Sequence, residues 1–189
     1  MKNNTLLCGI DEAGRGCLAG PMVVAGVILF KEIAGLDDSK KLTKQKRESL
    51  YEIIVNEAHA YHICIIQPDT IDTRGISPTL TSALKEIMRE LEADEFLFDG
   101  NSSYGIAGLR HLIKADSKVQ AVAAASVLAK VTKDRELIKA GTAFPDFDFA
   151  SHQGYGTQKH VEEIKRFGLT PIHRKSYKLK SLSQPTFDF

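Results

Sequence analysis

The sequence predicts an α/β domain in which helices flank a central mixed sheet. Five short apolar runs have the length and β-branched content of strands, and four longer segments carry apolar residues at helical spacing. The chain has 189 residues and is 43% hydrophobic and 26% charged, which is typical of one soluble domain rather than a disordered chain. No apolar run approaches the roughly 18 residues that would indicate a membrane span.

The first half of the chain is predicted to contain strand, strand, helix and strand. Leu6–Asp11 and Met22–Phe30 are apolar runs separated by glycine and proline. A helix is expected after Thr43, a good N-cap, because apolar residues then recur at helical spacing as far as Ala58. Tyr61–Gln67 is the third predicted strand.

The second half is predicted to contain three helices and two strands, which brings the sheet to five strands. The predicted ranges are Ser77–Ala93 (helix), Glu95–Gly100 (strand), Arg110–Asp116 (strand), Ser117–Ile138 (helix) and Thr157–Gly168 (helix). Residues 140–156 have no clear period and are expected to be irregular. The last helix should end at its glycine, and a basic tail follows.

Cysteine usage and the N-terminal residues favour a cytoplasmic protein. Cys8, Cys17 and Cys64 are widely spaced and form no CxxC pair, so neither a disulfide framework nor a zinc site is indicated. Cys8 and Cys64 lie in apolar runs and are expected in the core. The first residues lack the long apolar stretch of a signal peptide. We expect no membrane association, and nothing in the sequence suggests more than a monomer.

Basic residues are concentrated in two segments, although the net charge is only +1. Residues 39–47 read SKKLTKQKR, and residues 157–183 contain seven Lys or Arg against two acids. Such segments suit a polyanionic partner, but ordinary solvated surfaces produce the same pattern.

Three aspartates lie at the ends of predicted strands. Asp11 and Asp99 each end a buried run, and ligands gather at the carboxyl ends of strands in open α/β sheets. Asp116 closes another run. Ser117 and Gln120 fit a capping box for the next helix, which leaves Asp116 available for another role. Each aspartate alone would fit a turn or a cap equally well, but together they indicate a site.

Glu12 poses a geometric problem, because adjacent residues of a regular strand point to opposite faces. Asp11 and Glu12 converge only if the strand bends or ends near Glu12, which Gly14 and Gly16 would allow; otherwise Glu12 reaches the site less directly. Converging carboxylates repel each other unless a cation is present, and their oxygens suit Mg²⁺ or Mn²⁺ better than Zn²⁺. Two such ions about 4 Å apart can hold the attacking and leaving oxygens of a phosphodiester.

Several blocks of the chain occur in the order found in bacterial ribonuclease HII. They are GIDEAGRGCLAGPMVVAG, DSKKL, FDGN, KADSKVQAVAAASVLAKVTKDR and SHQGYGTQKH, and PIHRKSY resembles the family's next block. The resemblance runs from about Leu7 to Tyr177. It implies a ribonuclease H-like fold with a small C-terminal helical extension. Residues 1–140 would form the catalytic domain and residues 141–189 a substrate-binding extension and tail, in one continuous unit. Cys17 departs from the proline usual after GRG.

The resemblance implies a metal-dependent endonuclease that cleaves RNA in RNA–DNA hybrids. It also implies incision 5′ of single ribonucleotides in duplex DNA, leaving 3′-OH and 5′-phosphate ends. The family's catalytic and metal-binding acids fall on Asp11, Glu12, Asp99 and Asp116, with two Mg²⁺ or Mn²⁺ ions. The alternatives are another nuclease of this superfamily or a non-catalytic nucleic-acid-binding module. A mere binder gains nothing from acids beside a polyanion.

The resemblance also assigns substrate contacts. The motif that reads the RNA–DNA junction falls on Gly14, Arg15 and Gly16, where glycine lets the backbone approach a ribose. A tyrosine that contacts the sugar falls on Tyr155, which has a flat face and a hydroxyl. Arg15 could instead pair with a neighbouring acid, and Tyr155 could be a half-buried loop residue.

Phosphate contacts are predicted for Lys40, Ser126 and Lys130. Lys40 lies in the DSKKL block, and Ser126 and Lys130 share one helical face at i, i+4 spacing. Lys130 would alternatively be a solvated surface lysine.

The C-terminal residues SQPTFDF loosely resemble the peptides that bind bacterial sliding clamps, through Gln184, Phe187 and Phe189. In the alternative interpretation, the two phenylalanines pack back onto the domain.

Overall fold

The strands form one mixed sheet in the order β3-β2-β1-β4-β5, seen in a computed structural model that describes residues 5–37 and 39–177. The strands are β1 Leu7–Ala13, β2 Met22–Ile28, β3 Ala60–Ile66, β4 Glu95–Asp99 and β5 Leu109–Leu112. β1 pairs antiparallel with β2 and parallel with β4, so the predicted mixed five-stranded sheet is confirmed.

Helices cover both faces of the sheet. They are α1 Lys44–Glu57, α2 Pro68–Arg74, α3 Ile76–Glu90, α4 Gln120–Gly141, α5 Phe149–His152 and α6 Gln158–Phe167. Helices α2 and α3 pack on one face around Ile10 and Phe98. Helices α1 and α4 pack on the other, with Val23, Ala25 and Val27. None of the helices described is both long and apolar enough to span a bilayer.

Helix α4 crosses strand β1 in very close contact. A Cβ on Gly9 would lie 2.3 Å from the backbone of Ala121 and Val122, so only glycine fits there. The alanine-rich sequence of α4 allows the same closeness along its buried side. Because Gly9 and Asp11 share one face of β1, this contact also fixes Asp11 relative to α4.

The chain after α4 packs back onto the residues that follow β1. Phe147, Phe149 and Ile164 form a small core with Ala19. A Cβ on Gly154, which has φ +78°, would lie 2.3 Å from the Ala19 oxygen. The segment predicted to be irregular thus contains a short helix, α5, capped by an aspartate that no periodicity marked.

The structure confirms several local predictions. The Thr43 side chain accepts a hydrogen bond from the Lys46 N–H at 3.2 Å and caps α1. Cys8 and Cys64 are buried free thiols. Helix α6 ends at Gly168, whose φ of +78° suits glycine. Helix α2 was not predicted, because its seven residues are too few to show a helical period.

The strand predicted at Arg110–Asp116 is present but was predicted to extend too far, and the capping box predicted after it was wrong. The strand ends at Leu112, and residues 115–117 form a 3₁₀ turn. Ser117 Oγ donates to the Lys114 oxygen, while the Gln120 side chain accepts from the Ile33 N–H. Both side chains are therefore engaged elsewhere, and α4 begins without a side-chain cap.

Candidate active site

Three aspartates from separate segments converge at one end of the sheet. Asp11 lies in β1, Asp99 ends β4 and Asp116 lies in the 3₁₀ turn, and one oxygen of each is within 4.8 Å of the others. The Asp99 carboxylate accepts hydrogen bonds from the N–H groups of Lys114 at 2.9 Å and Asp116 at 3.4 Å. Asp99 therefore holds the turn that carries the third acid.

Glu12 approaches this group without joining it. β1 stays paired with β2 through Ala13, one residue past Glu12, whereas its pairing with β4 ends at Ile10, so the arrangement agrees with the second alternative, in which Glu12 reaches the site less directly. Glu12 lies outside the set of mutually close oxygens but lines the same cavity. Its Oε1 is 3.9 Å from Arg15 Nη1, as in the alternative pairing considered for Arg15. Its Oε2 is buried and has no hydrogen-bond partner among the residues described.

The site disfavours the charged forms of Asp11 and Glu12. Burial raises the pKa of Asp11 well above its usual range, and the charges of Glu12 and Asp99 raise it further. Burial also raises the pKa of Glu12 to about 7, although Arg15 opposes the shift. The aspartate oxygens are crowded together, and Glu12 Oε2 lacks a hydrogen-bond partner among the residues described. Hard divalent cations prefer such carboxylate oxygens as ligands. The residues present therefore fit Mg²⁺ or Mn²⁺.

A cavity of about 320 Å³ lies beside the acids. Every predicted site residue lines it except Asp116, which borders an adjoining depression together with Lys40 and Asp99. Lys40 Nζ lies 3.7 Å from Asp116 Oδ2. Ser126 and Lys130 reach the cavity from one face of α4, as their spacing predicted. The Ser126 hydroxyl is buried and donates to the Ala123 oxygen at 2.9 Å.

The glycines that flank Arg15 differ in what surrounds them. Gly14 has φ +87°, and a Cβ there would lie 2.7 Å from the Pro21 oxygen, so the fold itself requires glycine. A Cβ on Gly16 would meet nothing within 4 Å. The fold places no steric demand on Gly16, and its bare backbone borders the cavity.

Tyr155 is held by two lysines of α4. Lys133 Nζ lies 4.8 Å and Lys130 Nζ 5.6 Å from the ring centroid, within cation–π range. Lys130 also donates to Asp134 and Gln153, and its side chain is only 14% exposed, so it is not a solvated surface lysine. Lys133 is fully buried and was not predicted, although it lies in a block that carried the family resemblance.

Sequence reasoning also missed two residues that hold the Gly14–Gly16 turn. Arg174, one of the seven basic residues in the 157–183 segment, is 2% exposed. Its guanidinium donates to the carbonyls of Arg15 and Gly20 at 3.0 Å. The Tyr177 hydroxyl donates to the same Arg15 carbonyl at 2.6 Å. The PIHRKSY block was the one available signal for both.

Three buried histidines lie behind Tyr155. The Thr170 N–H donates to His173 Nδ1, so the proton of neutral His173 is on Nε2, 3.0 Å from His160 Nε2. His160 then carries its proton on Nδ1, which donates to the Tyr155 carbonyl at 2.9 Å. His152 lies against His160 with ring centroids 3.9 Å apart and bonds Glu163.

Known proteins share both the sequence and the fold. The family model described as Ribonuclease HII matches residues 8–180. A protein named Ribonuclease HII from Sulfurovum sp. (strain NBC37-1) is 49% identical over 98% of this chain and 99% of its own length. Its namesake from Aliarcobacter butzleri (strain RM4018) is 50% identical, over 97% of this chain and 95% of that relative.

A solved structure agrees with this relationship. The structure described as the PCNA:RNase HII complex from Archaeoglobus fulgidus superposes with a TM-score of 0.79 at 30% identity, covering 96% of this chain and 98% of that one. The sheet order, the converging acids and the sequence matches agree along nearly the whole length. The chain therefore belongs to the ribonuclease HII family and has its ribonuclease H-like fold, and the enzymes of this family are metal-dependent ribonucleases.

Proposed function

We propose that this protein cleaves RNA in RNA–DNA hybrids and cuts on the 5′ side of single ribonucleotides in duplex DNA. The products would carry 3′-OH and 5′-phosphate ends. Family membership favours this activity over another nuclease of the superfamily and over a non-catalytic binding module.

One observation carries the proposal. Three carboxylates within 4.8 Å of one another adjoin a cavity bordered by the Gly14–Gly16 turn and by Tyr155. The acids supply a place for metal and scissile phosphate, and the turn and the aromatic ring supply a place for the sugar beside it. Binding of phosphate alone would not require the exposed backbone of Gly16 or the Tyr155 ring at the edge of the cavity.

Asp11, Asp99 and Asp116 would hold the divalent ions, with Glu12 adding its unpartnered oxygen from the cavity side. Bound Mg²⁺ or Mn²⁺ would activate a water for attack on phosphorus and stabilise the leaving 3′-oxygen. Asp99 keeps the third acid in place through its hydrogen bond to the Asp116 N–H.

The remaining lining residues would bind and orient the nucleic acid. At Gly16 the open backbone can approach the ribose 2′-OH, because no side chain intervenes. Tyr155 would stack on the adjoining sugar. Lys40, Lys130 and the Ser126 hydroxyl would contact phosphates, and Arg15 would do so after leaving its long contact with Glu12.

Three duplexes of one sequence test the substrate assignment: all DNA, DNA with one ribonucleotide, and an RNA–DNA hybrid. Each is incubated with Mg²⁺, Mn²⁺ or EDTA, and the ends are mapped. We expect cleavage of the two ribose-containing duplexes only, on the 5′ side of the single ribonucleotide, and none in EDTA. Cleavage of the all-DNA duplex, or an intact single-ribonucleotide duplex, would contradict the proposal.

We also propose that the protein is a cytoplasmic monomer. Its C-terminal residues Gln184, Phe187 and Phe189 would bind the sliding clamp. These three residues lie outside the described residues. Support comes from their spacing and from the archaeal relative described in a complex with PCNA. Removing residues 184–189 should abolish clamp binding in a pull-down and leave cleavage of short duplexes unchanged. Equal clamp binding with and without these residues would end the idea.

A further inference from the structure

Apart from the aspartates of the candidate active site, a second group of side chains of the types that ligate metals lies at the edge of the sheet. His62 and Cys64 lie on β3 and Glu86 on α3, and one ligand atom of each is within 4.8 Å of the others. His62 Nε2 is 3.0 Å from Glu86 Oε1. Each side chain comes with a different donor atom: imidazole nitrogen, thiol sulfur and carboxylate oxygen.

The backbone holds these three residues in place. His62 and Cys64 are two apart on a strand and therefore face the same side of the sheet. On β2, Gly26 pairs with His62, and a Cβ on Gly26 would lie 2.5 Å from Ile87 Cγ2. The missing side chain lets α3 approach the sheet closely, which brings Glu86 to His62. Two regular elements in tight contact give a more precise site than a loop would.

The group is open to solvent on one side. His62, Cys64 and Glu86 all line a cavity of about 320 Å³. The side chains of His62 and Glu86 are 30% and 45% exposed, whereas Cys64 is buried beneath them. An ion could enter past the two exposed groups, and water could complete its coordination.

We propose that His62, Cys64 and Glu86 form a Zn²⁺ site with water as the fourth ligand. Zinc takes nitrogen, sulfur and carboxylate ligands at about 2.0–2.3 Å, and three protein ligands plus water form a common zinc arrangement. The hard-oxygen acids of the nuclease site favour a different ion. The cysteine spacing gave no hint of zinc, because the third ligand comes from a separate helix.

The zinc site is distinct from the nuclease site. Strand pairing places Cys64 opposite Val24, and Val24 opposite Glu12, so two strand spacings of about 5 Å each separate Cys64 from Glu12. Binding requires the thiol to release its proton to solvent. Zinc affinity should therefore increase with pH.

Cobalt reports on the thiolate directly. Co²⁺ added to the metal-free full chain should give a sulfur-to-metal charge-transfer band, which Zn²⁺ then removes at one equivalent. Cys64→Ser should abolish the band, and His62→Gln and Glu86→Gln should each weaken Zn²⁺ binding at least about tenfold. Cys17→Ser, at another buried thiol, is the matched control and should keep the band.

Thermal unfolding gives a second readout. Zn²⁺ at about 100 times its Kd should raise Tm by about 5 °C or more in the wild type and in Asp11→Asn, and not in His62→Gln. The His62 and Glu86 variants change half-exposed side chains, so they should fold even if Cys64→Ser does not. No charge-transfer band, or equal Zn²⁺ affinity in the wild type and His62→Gln, would overturn the proposal.

Discussion

His160 and His173 share one proton between Nε2 atoms 3.0 Å apart, and neither ring can gain a second proton without losing a hydrogen bond. Burial lowers the pKa of both rings, that of His173 to about 4. A histidine in the unfolded chain titrates near 6.5. The unfolded state therefore binds more protons between these values, so stability is present above about pH 6.5 and is lost as pH falls toward 4.

For His173 alone, the loss between pH 7 and pH 4 should be about 3 kcal/mol. Urea unfolding at several pH values measures it. His173→Gln should flatten the pH dependence, and His111→Gln, at an exposed histidine, should not. Parallel curves for the wild type and His173→Gln would show that the buried pair does not govern acid stability.

Asp11→Asn should abolish cleavage without harming the fold. Asp11 is buried among other carboxylates that raise its pKa, so removing its charge relieves repulsion. We expect at least about a 100-fold loss of kcat, or about 2.7 kcal/mol, with a metal-free Tm that is unchanged or higher. Asp146→Asn, at an exposed aspartate, is the control. Full activity of Asp11→Asn on a single-ribonucleotide duplex would refute the metal assignment.

Alanine at the two glycines beside Arg15 should separate folding from substrate contact. Gly14→Ala forces a Cβ into a left-handed backbone and against Pro21, at a cost of about 1–3 kcal/mol in unfolding free energy. Gly16→Ala meets open space and should change stability by less than about 0.5 kcal/mol. We nevertheless expect it to lower cleavage at a single ribonucleotide at least about tenfold. Unchanged kinetics in Gly16→Ala would remove that residue from the substrate contact.

Tyr177→Phe should loosen the Arg15 carbonyl while leaving the acids untouched. The hydroxyl donates to that carbonyl at 2.6 Å, and its loss should cost about 0.5–1.5 kcal/mol of stability. KM for the single-ribonucleotide duplex should rise several-fold, whereas the Mg²⁺ dependence of the rate should not move. Tyr61→Phe, on the edge strand, controls for loss of a phenol hydroxyl. A change in Mg²⁺ dependence alone would place Tyr177 in a different role.

Much of the fold could be predicted because the signals are local. Strands β1 to β4 and helices α1, α3, α4 and α6 have periods and end signals that tertiary contacts did not override. The segment around Asp116 could not, because its apolar residues mimic a strand, whereas Lys114 takes a left-handed φ of +58°. That conformation depends on hydrogen bonds to Asp99, fifteen residues away.

The acids of the site could be predicted from the sequence, but the residues that hold the surrounding backbone and the Tyr155 ring in place could not. Acids at strand ends are visible in a sequence because the topology of the sheet brings such ends together. Lys133, Arg174 and Tyr177 act through contacts with carbonyl groups and one ring, and no spacing rule encodes such contacts. The position of Glu12 also depended on the paired register of β1 with β2, which the sequence left open.

The two hydrogen bonds that Asp99 accepts have a consequence for how substitutions combine. Its Oδ2 accepts a hydrogen bond from the Asp116 N–H, so the positions of the two acids are linked by this bond as well as by their charges. The changes in unfolding free energy caused by Asp99→Asn and Asp116→Asn should therefore be non-additive. A double-mutant cycle should give a coupling of about 0.5–3 kcal/mol. Asp11, held by its own strand, should couple to either of them through charge alone, so added salt should weaken its couplings by a larger fraction than the coupling between Asp99 and Asp116.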